Sequence, residues 1–508
     1  MVSLNWKKYF NKKQIIILFL LLIVGVVLRV INGYKTQIWL DESFIFFTSR
    51  TNAFINLLFE NHWDTCHPPL YFVFFHYWQR ININPFFLRL PSIIISAGTL
   101  YLIPILAKLI YPGSFVFVLT TLFFFSFSHS QISLQMVARP YPFAIFFMVI
   151  SMIFFLSLVK QKSRKRDYLI FSIANFFMFF FDYSSIWLMG TYCLFGLVYF
   201  LLKRKEKEEK KRIIYMVILF IYPVVLWLPV FLLRLPQCMS LEENAFGWAF
   251  RQPNPISNLW LWGFQFFSSI TSRDLIFKIW AINPDQLALI VFILAILGSL
   301  LLIRKNLFGG IFIISAFFQI VIAFTISVFF IPVYLPRHLL VANIAVLIGL
   351  SFLTRSLFNK KKIIYFLILI IWIINFFSAF PYLHYTGYIY DWEGLVKKIS
   401  KEDQKRKTIF VTTEPKYIFN VFDYYNLYFN KNTIKRYKLL SIDEFDESIV
   451  DQKDDLFFVI ALDNGRDIKE NKNKLEKIIK KINCQPEKVK LADNTDLLVQ
   501  KCNLTIKK

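Results

Sequence analysis

The chain has 508 residues, 56% of them hydrophobic, with 60 Phe and a formal net charge of +25. That composition excludes a soluble globular domain and marks a polytopic membrane protein. The charge does not mean nucleic acid: the cations cluster at Lys7-Lys8, Lys12-Lys13, 160–166, 203–212, Arg304-Lys305 and Lys360-Lys361-Lys362, each against an apolar run, as cytoplasmic ends of spanning helices do.

Apolar runs suited to crossing occupy 14–31, 69–81, 88–110, 141–159, 168–182, 184–202, 213–235, 286–303, 309–330, 338–354 and 363–380. The first has a basic front and no small-residue cleavage site after it, so it is expected to stay as a first helix. Charge predicts a cytoplasmic N-terminus, with 32–68, 236–284, 331–337 and everything after 380 on the other side. The run at 113–128 conflicts with that count. If it crossed fully, 160–166 would fall outside, so it is expected to enter and turn back. Its polar end, Ser126, Ser128, His129, Ser130 and Gln131, suits a segment lining a cavity. The loop 236–284 carries Trp248, Trp260 and Trp262, as an interfacial helix would.

After Pro381 the apolar runs shorten and charge density rises. Strands are predicted at 408–413, 433–439 and 455–461, with two short ones at 488–492 and 496–501. Helices are predicted near 392–400, 415–428, 442–450 and 467–482. The fold class is therefore a polytopic α-helical membrane protein with a small C-terminal α/β domain, divided as 1–380 and 381–508. The five Cys are 66, 193, 238, 484 and 502, and no two have metal-ligand spacing. Cys484 and Cys502 flank the last hairpin; a disulfide and two free thiols both fit.

The stretch 38–71 carries the most chemistry. Asp41 and Glu42 open it, and His67-Pro68-Pro69 close it at the next apolar run. Two accounts fit the acid pair: capping of a surface helix, or a wet catalytic cavity at the membrane face. Arg139 and Tyr141 lie in ARPYPF, and Arg337 and His338 in YLPRHLL, each just before an apolar run. Arginines there either snorkel from helix ends or hold an anion in a bidentate fork. Carboxylates beside a phosphate site at a membrane surface imply group transfer from a lipid phosphate. One carboxylate would take a proton from the acceptor, and the cations would hold the departing phosphate.

The order of these motifs resembles the GT-C glycosyltransferases. It runs from a first helix to Asp-Glu in the first outer loop, then HPPLYFVFFHYW, ARPYPF and PRHLL before a late helix. The nearest resemblance is to glycosyltransferase family 39, with its protein O-mannosyltransferase and lipid A aminoarabinose transferase relatives. It implies about 11 to 13 transmembrane helices and an extracytoplasmic C-terminal domain. It also implies transfer from a polyprenyl-phosphate sugar to an envelope glycan, lipid or protein outside the plasma membrane, with inversion. By that resemblance Asp41 is the base and Glu42 its acidic neighbour. His67, Arg139, Arg337 and His338 lie at the donor phosphate, His338 where many relatives have Tyr, and Tyr141 lies in the substrate pocket. ARPYPF has no carboxylate of the kind that holds metal in related oligosaccharyltransferases, so no metal or other cofactor is expected. A transporter or lipid flippase is the alternative, because it too places charges in a membrane cavity.

Overall fold

A computed structural model describes residues 4–51, 67–160, 164–202, 284–329, 339–358, 361–383 and 392–399. It also describes 408–412, 419–430, 437–441, 455–461, 484–488 and 497–504, and short pieces within 214–232 and 476–480. Arg337, His338, Cys66, Cys238 and the loop 236–284 lie outside the described residues.

The chain gathers into two compact units. The first holds Met1–Lys35, Thr48–Asn82 and Phe86–Leu383; the second holds Thr36–Phe47, Ile83–Pro85 and His384–Lys508. The sequence division at 380 assigned 36–47 and 83–85 to the helical framework. By contacts they group with the C-terminal region.

In order, the helices are α1 Lys12–Lys35, α2 Leu40–Thr51, α3 Leu70–Ile81, α4 Pro85–Ile110, α5 Phe115–Phe127 and α6 His129–Met136. They continue as α7 Tyr141–Lys160, α8 Lys165–Phe181, α9 Ile186–Leu202, α10 Pro284–Lys305, α11 Leu307–Phe329, α12 Leu340–Phe358 and α13 Lys362–Leu383. Among the described residues, five helices are long and apolar enough to cross a bilayer, or six if the bent pair α5–α6 is one span. The protein is a multi-pass membrane protein.

The conflict over 113–128 turns on α3. That helix has 12 residues, about 18 Å of rise against roughly 30 Å of hydrocarbon. Its aromatic run looks like a span, but residues 83–85 after it group with 36–47 before it. Trp6 Nε1 donates to the Tyr101 carbonyl at 2.9 Å, the two rings stack at 4.8 Å, and Phe10 meets Phe115 edge-on at 6.3 Å. Helices α5 and α6 meet at a 60° bend, which fits either a broken span or the expected re-entrant turn.

The break is held by polar side chains. Ser128 caps α6 by accepting from the Gln131 amide at 3.4 Å. Gln131 bonds Asn343 of α12, and Asn343 Nδ2 donates to Ser130 Oγ at 3.0 Å. Arg29 of α1 is fully buried and donates to the Gly25 and Phe125 carbonyls at 2.9 and 3.1 Å. Its Nε and Nη2 also reach Gln135 Oε1 at 3.2 and 3.1 Å. Carbonyl and amide oxygens thus satisfy a cation that hydrocarbon would penalise. Elsewhere small residues set the packing. A Cβ on Gly298 of α10 would stand 2.0 Å from the Gly349 carbonyl oxygen of α12, so glycine is needed for the approach of these helices.

The second unit carries five strands: β1 Thr408–Thr412, β2 Tyr437–Ser441, β3 Asp455–Ala461, β4 Cys484–Lys488 and β5 Leu497–Leu504. Their order is β2-β1-β3-β5-β4, with β1 parallel to β2 and β3, and β5 antiparallel to β3 and β4. Successive residues Ile409, Phe410 and Val411 are all buried, so both faces of β1 are covered. Helices α14 Trp392–Ile399 and α15 Phe419–Asn430 belong to this unit, and Phe422 of α15 meets Phe410 at 5.0 Å. The register pairs Cys484 with Leu504 and Cys502 with Pro486.

Candidate active site

The sequence-predicted residues that the structure describes fall into two clusters, one in each unit, and each is described by itself.

In the helical unit, His67 and Arg139 come together. Tyr71 and Phe74 of α3 meet Phe143 of α7 at 5.6 and 5.5 Å, and Phe143 stacks on Phe181 of α8 at 4.8 Å. This aromatic seam brings the residues just before α3 beside those just before α7. Arg139 Nη2 lies 2.9 Å from His67 Nε2 and donates to the Tyr141 hydroxyl at 3.5 Å. Its guanidinium carbon stands 5.6 Å from the Tyr141 ring centre. Guanidinium has donors only, so His67 Nε2 accepts and the ring proton is on Nδ1. Arg139 is 3% exposed and Tyr141 is fully buried, while His67 is half-buried. A guanidinium this deeply buried is not snorkelling to solvent from a helix end.

In the second unit, α2 begins at the acid pair. Glu42 stands at the third helical position, and its Oε2 accepts from the Trp39 amide at 2.9 Å. This is the backward half of a capping box. Glu42 is 1% exposed, whereas Asp41, in the same first turn, is half-buried. The capping account of the acid pair therefore holds for Glu42. Glu42 fixes the helix start, and Asp41 is the carboxylate with access to solvent.

Sequence reasoning missed what holds this turn. The Ile38 amide donates to the Tyr425 hydroxyl at 2.8 Å. Tyr424 meets Phe46 edge-on at 5.0 Å and donates to the Ile83 carbonyl at 2.7 Å. Asn84 Nδ2 donates to the Tyr428 hydroxyl at 2.9 Å. The signal was the spacing of Tyr424, Tyr425 and Tyr428 in a helix whose Phe422 faces the sheet. Positions i, i+1 and i+4 share one helix face.

No protein-family profile matches the sequence, and no curated protein sequence matches it. Solved structures do. The chain is similar to the Archaeoglobus fulgidus oligosaccharyltransferase in the apo form, with a TM-score of 0.55 and 10% identity over 91% of this chain and 70% of that one. It is similar to AglB of the same organism in complex with an inhibitory peptide and a dolichol-phosphate, with a TM-score of 0.53 and 10% identity over 90% and 70%. ArnT from Cupriavidus metallidurans in the apo state gives a TM-score of 0.52 at 10% identity over 95% of this chain and 97% of that one. The chain spans 34% of the matched chain in the S. cerevisiae protein O-mannosyltransferase Pmt1-Pmt2 complex. These likenesses show the fold: the chain has the fold of the GT-C membrane glycosyltransferases.

Proposed function

We propose that the protein is a membrane glycosyltransferase that moves a sugar from a polyprenyl-phosphate donor to an acceptor outside the plasma membrane. The acceptor class is a glycan, lipid or protein of the envelope, and the transfer inverts. The observation that carries this reading is the buried Arg139, held against His67 and Tyr141 just before α7. The dolichol-phosphate in the AglB structure supports a polyprenyl-phosphate as that anion. The basic clusters support a cytoplasmic N-terminus and an extracytoplasmic C-terminal domain.

In the proposed reaction Asp41 takes the proton of the acceptor hydroxyl. The acceptor oxygen forms a bond to the anomeric carbon as the bond from that carbon to the phosphate oxygen breaks. The polyprenyl phosphate leaves with the bonding pair, its charge met by Arg139, and by Arg337 and His338 if they join the same phosphate. Glu42 orients Asp41 by fixing the first turn of α2. Attack opposite the leaving phosphate inverts the centre. No metal is required in this scheme.

The test is turnover by purified protein in detergent, using a panel of labelled undecaprenyl-phosphate hexoses and pentoses with envelope extract as acceptor. Release of undecaprenyl phosphate is expected, unchanged by EDTA and lost in Asp41→Asn. Donor that stays intact across the panel, but crosses vesicles holding the protein, would replace this reading with the transporter.

A further inference from the structure

We propose that the C-terminal domain sets the geometry of the reaction, with Tyr425 as a positioning residue for Asp41. This rests on the assignment of Asp41 as the base. Four links lie within one compact unit. The Tyr425 hydroxyl accepts the Ile38 amide at 2.8 Å. The next amide, Trp39, is held by Glu42 at 2.9 Å. The Trp39 carbonyl accepts the Ser43 amide at 3.0 Å, and the Leu40 carbonyl accepts the Ser43 hydroxyl at 2.6 Å. Asp41 lies inside that closed turn, so its backbone direction follows from where Ile38 and Trp39 are pinned.

The anchor is rigid. Tyr425 is 1% exposed and Ile38 is 4% exposed. An Ile38 amide without its acceptor would be a buried orphan, which makes the present backbone path costly to keep. Tyr425 is in turn fixed through α15. Phe422 of that helix packs on Phe410 of β1 at 5.0 Å and on Tyr437 of β2 at 5.4 Å. The sheet therefore reaches the acid turn through one helix and one hydroxyl. The same helix holds the turn between α3 and α4, through Tyr424 on Ile83 and Tyr428 on Asn84. One face of α15 thus ties together two loops that lie 45 residues apart in sequence, from Ile38 to Ile83.

The decisive variant is Tyr425→Phe in the full-length protein. It removes one oxygen and leaves the ring that packs. Hydrogen–deuterium exchange should show faster exchange in peptides covering 36–42, with the strands of the sheet unchanged. Tyr424→Phe should instead loosen peptides around 83–85. In turnover of an undecaprenyl-phosphate hexose, Tyr425→Phe should lower kcat by about tenfold or more, as a base displaced by a fraction of an ångström does. Donor KM should stay near wild type, and the melting temperature should fall by no more than the loss of one buried hydrogen bond. A purely structural role would leave kcat per folded molecule alone, and that result overturns the proposal, as does unchanged exchange at 36–42. Asp41→Asn is run beside it. Full turnover by Asp41→Asn removes the base assignment itself, whereas an inactive Asp41→Asn with a fully active Tyr425→Phe removes only the brace.

Discussion

Consider the two adjacent carboxylates replaced one at a time. Glu42→Ala deletes the oxygen that accepts the Trp39 amide at 2.9 Å, in a side chain 1% exposed. A buried amide left without an acceptor costs about 1–3 kcal/mol, and a lost cap about 1 kcal/mol. These overlap, so the expected loss of stability is roughly 2 kcal/mol. Asp41→Asn touches a half-buried position in the same first turn. Its charge near the helix N-terminus is worth about 0.3–1 kcal/mol. Losing a general base removes about a hundredfold to ten-thousandfold of rate, or about 3–5.5 kcal/mol of barrier. Thermal unfolding in detergent, paired with turnover per folded molecule, separates the two. Glu42→Ala should melt early yet keep measurable kcat, and Asp41→Asn should melt near wild type and lose turnover. The reasoning is refuted if Asp41→Asn turns over normally, or if its lost activity merely tracks lost stability.

Arg139→Lys keeps the charge but not the planar fork facing His67 and Tyr141, so undecaprenyl phosphate should bind about tenfold more weakly in a titration. Gly298→Ala would force apart α10 and α12, whose present spacing puts a Cβ 2.0 Å from a carbonyl oxygen. A loss of about 1–3 kcal/mol in unfolding is expected. Burial, then the Asp423 carboxylate and its hydrogen bond, push the Tyr437 phenol up from its ordinary 10.0. The folded state holds the proton longer than the unfolded chain, so this contribution is full below pH 10 and falls above it. The slope is about 1.4 kcal/mol per pH unit at most. Tyr437→Phe should flatten the alkaline end of the stability profile, and an unchanged profile would remove the assignment.

Helix positions were readable because hydrocarbon selects long apolar runs. The run at 141–159 became α7 and that at 363–380 became α13, with ends shifted by a few residues. His67 and Arg139 were expected together at the donor phosphate only through the family resemblance; the aromatic seam of Tyr71, Phe143 and Phe181 supplies their contact. The run at 69–81 became α3, which is rich in Phe and Tyr and resembles a span in composition but has only 12 residues. The polar lattice of Arg29, Gln135, Gln131 and Asn343 was missed because its partners lie up to 212 residues apart, and periodicity sees only neighbours. The last strands showed the same limit. The predicted 488–492 became 484–488, since pairing with β5 rather than local propensity decides where an edge strand begins.

The Arg29 guanidinium has a history as well as a position. Gln135, which accepts from it, lies 106 residues further along the chain. At about 5–20 residues per second of synthesis, α1 waits roughly 5–20 s for that partner. During the wait a cation in a spanning helix is tolerated at about 2.5–3.5 kcal/mol, eased by reaching toward the interface. Assembly at the ribosome is therefore staged. The first helix enters the bilayer provisionally and takes its final depth when the bent pair α5–α6 arrives to receive it. Shortening that interval, or removing Gln135, changes the order of insertion before it changes the finished protein.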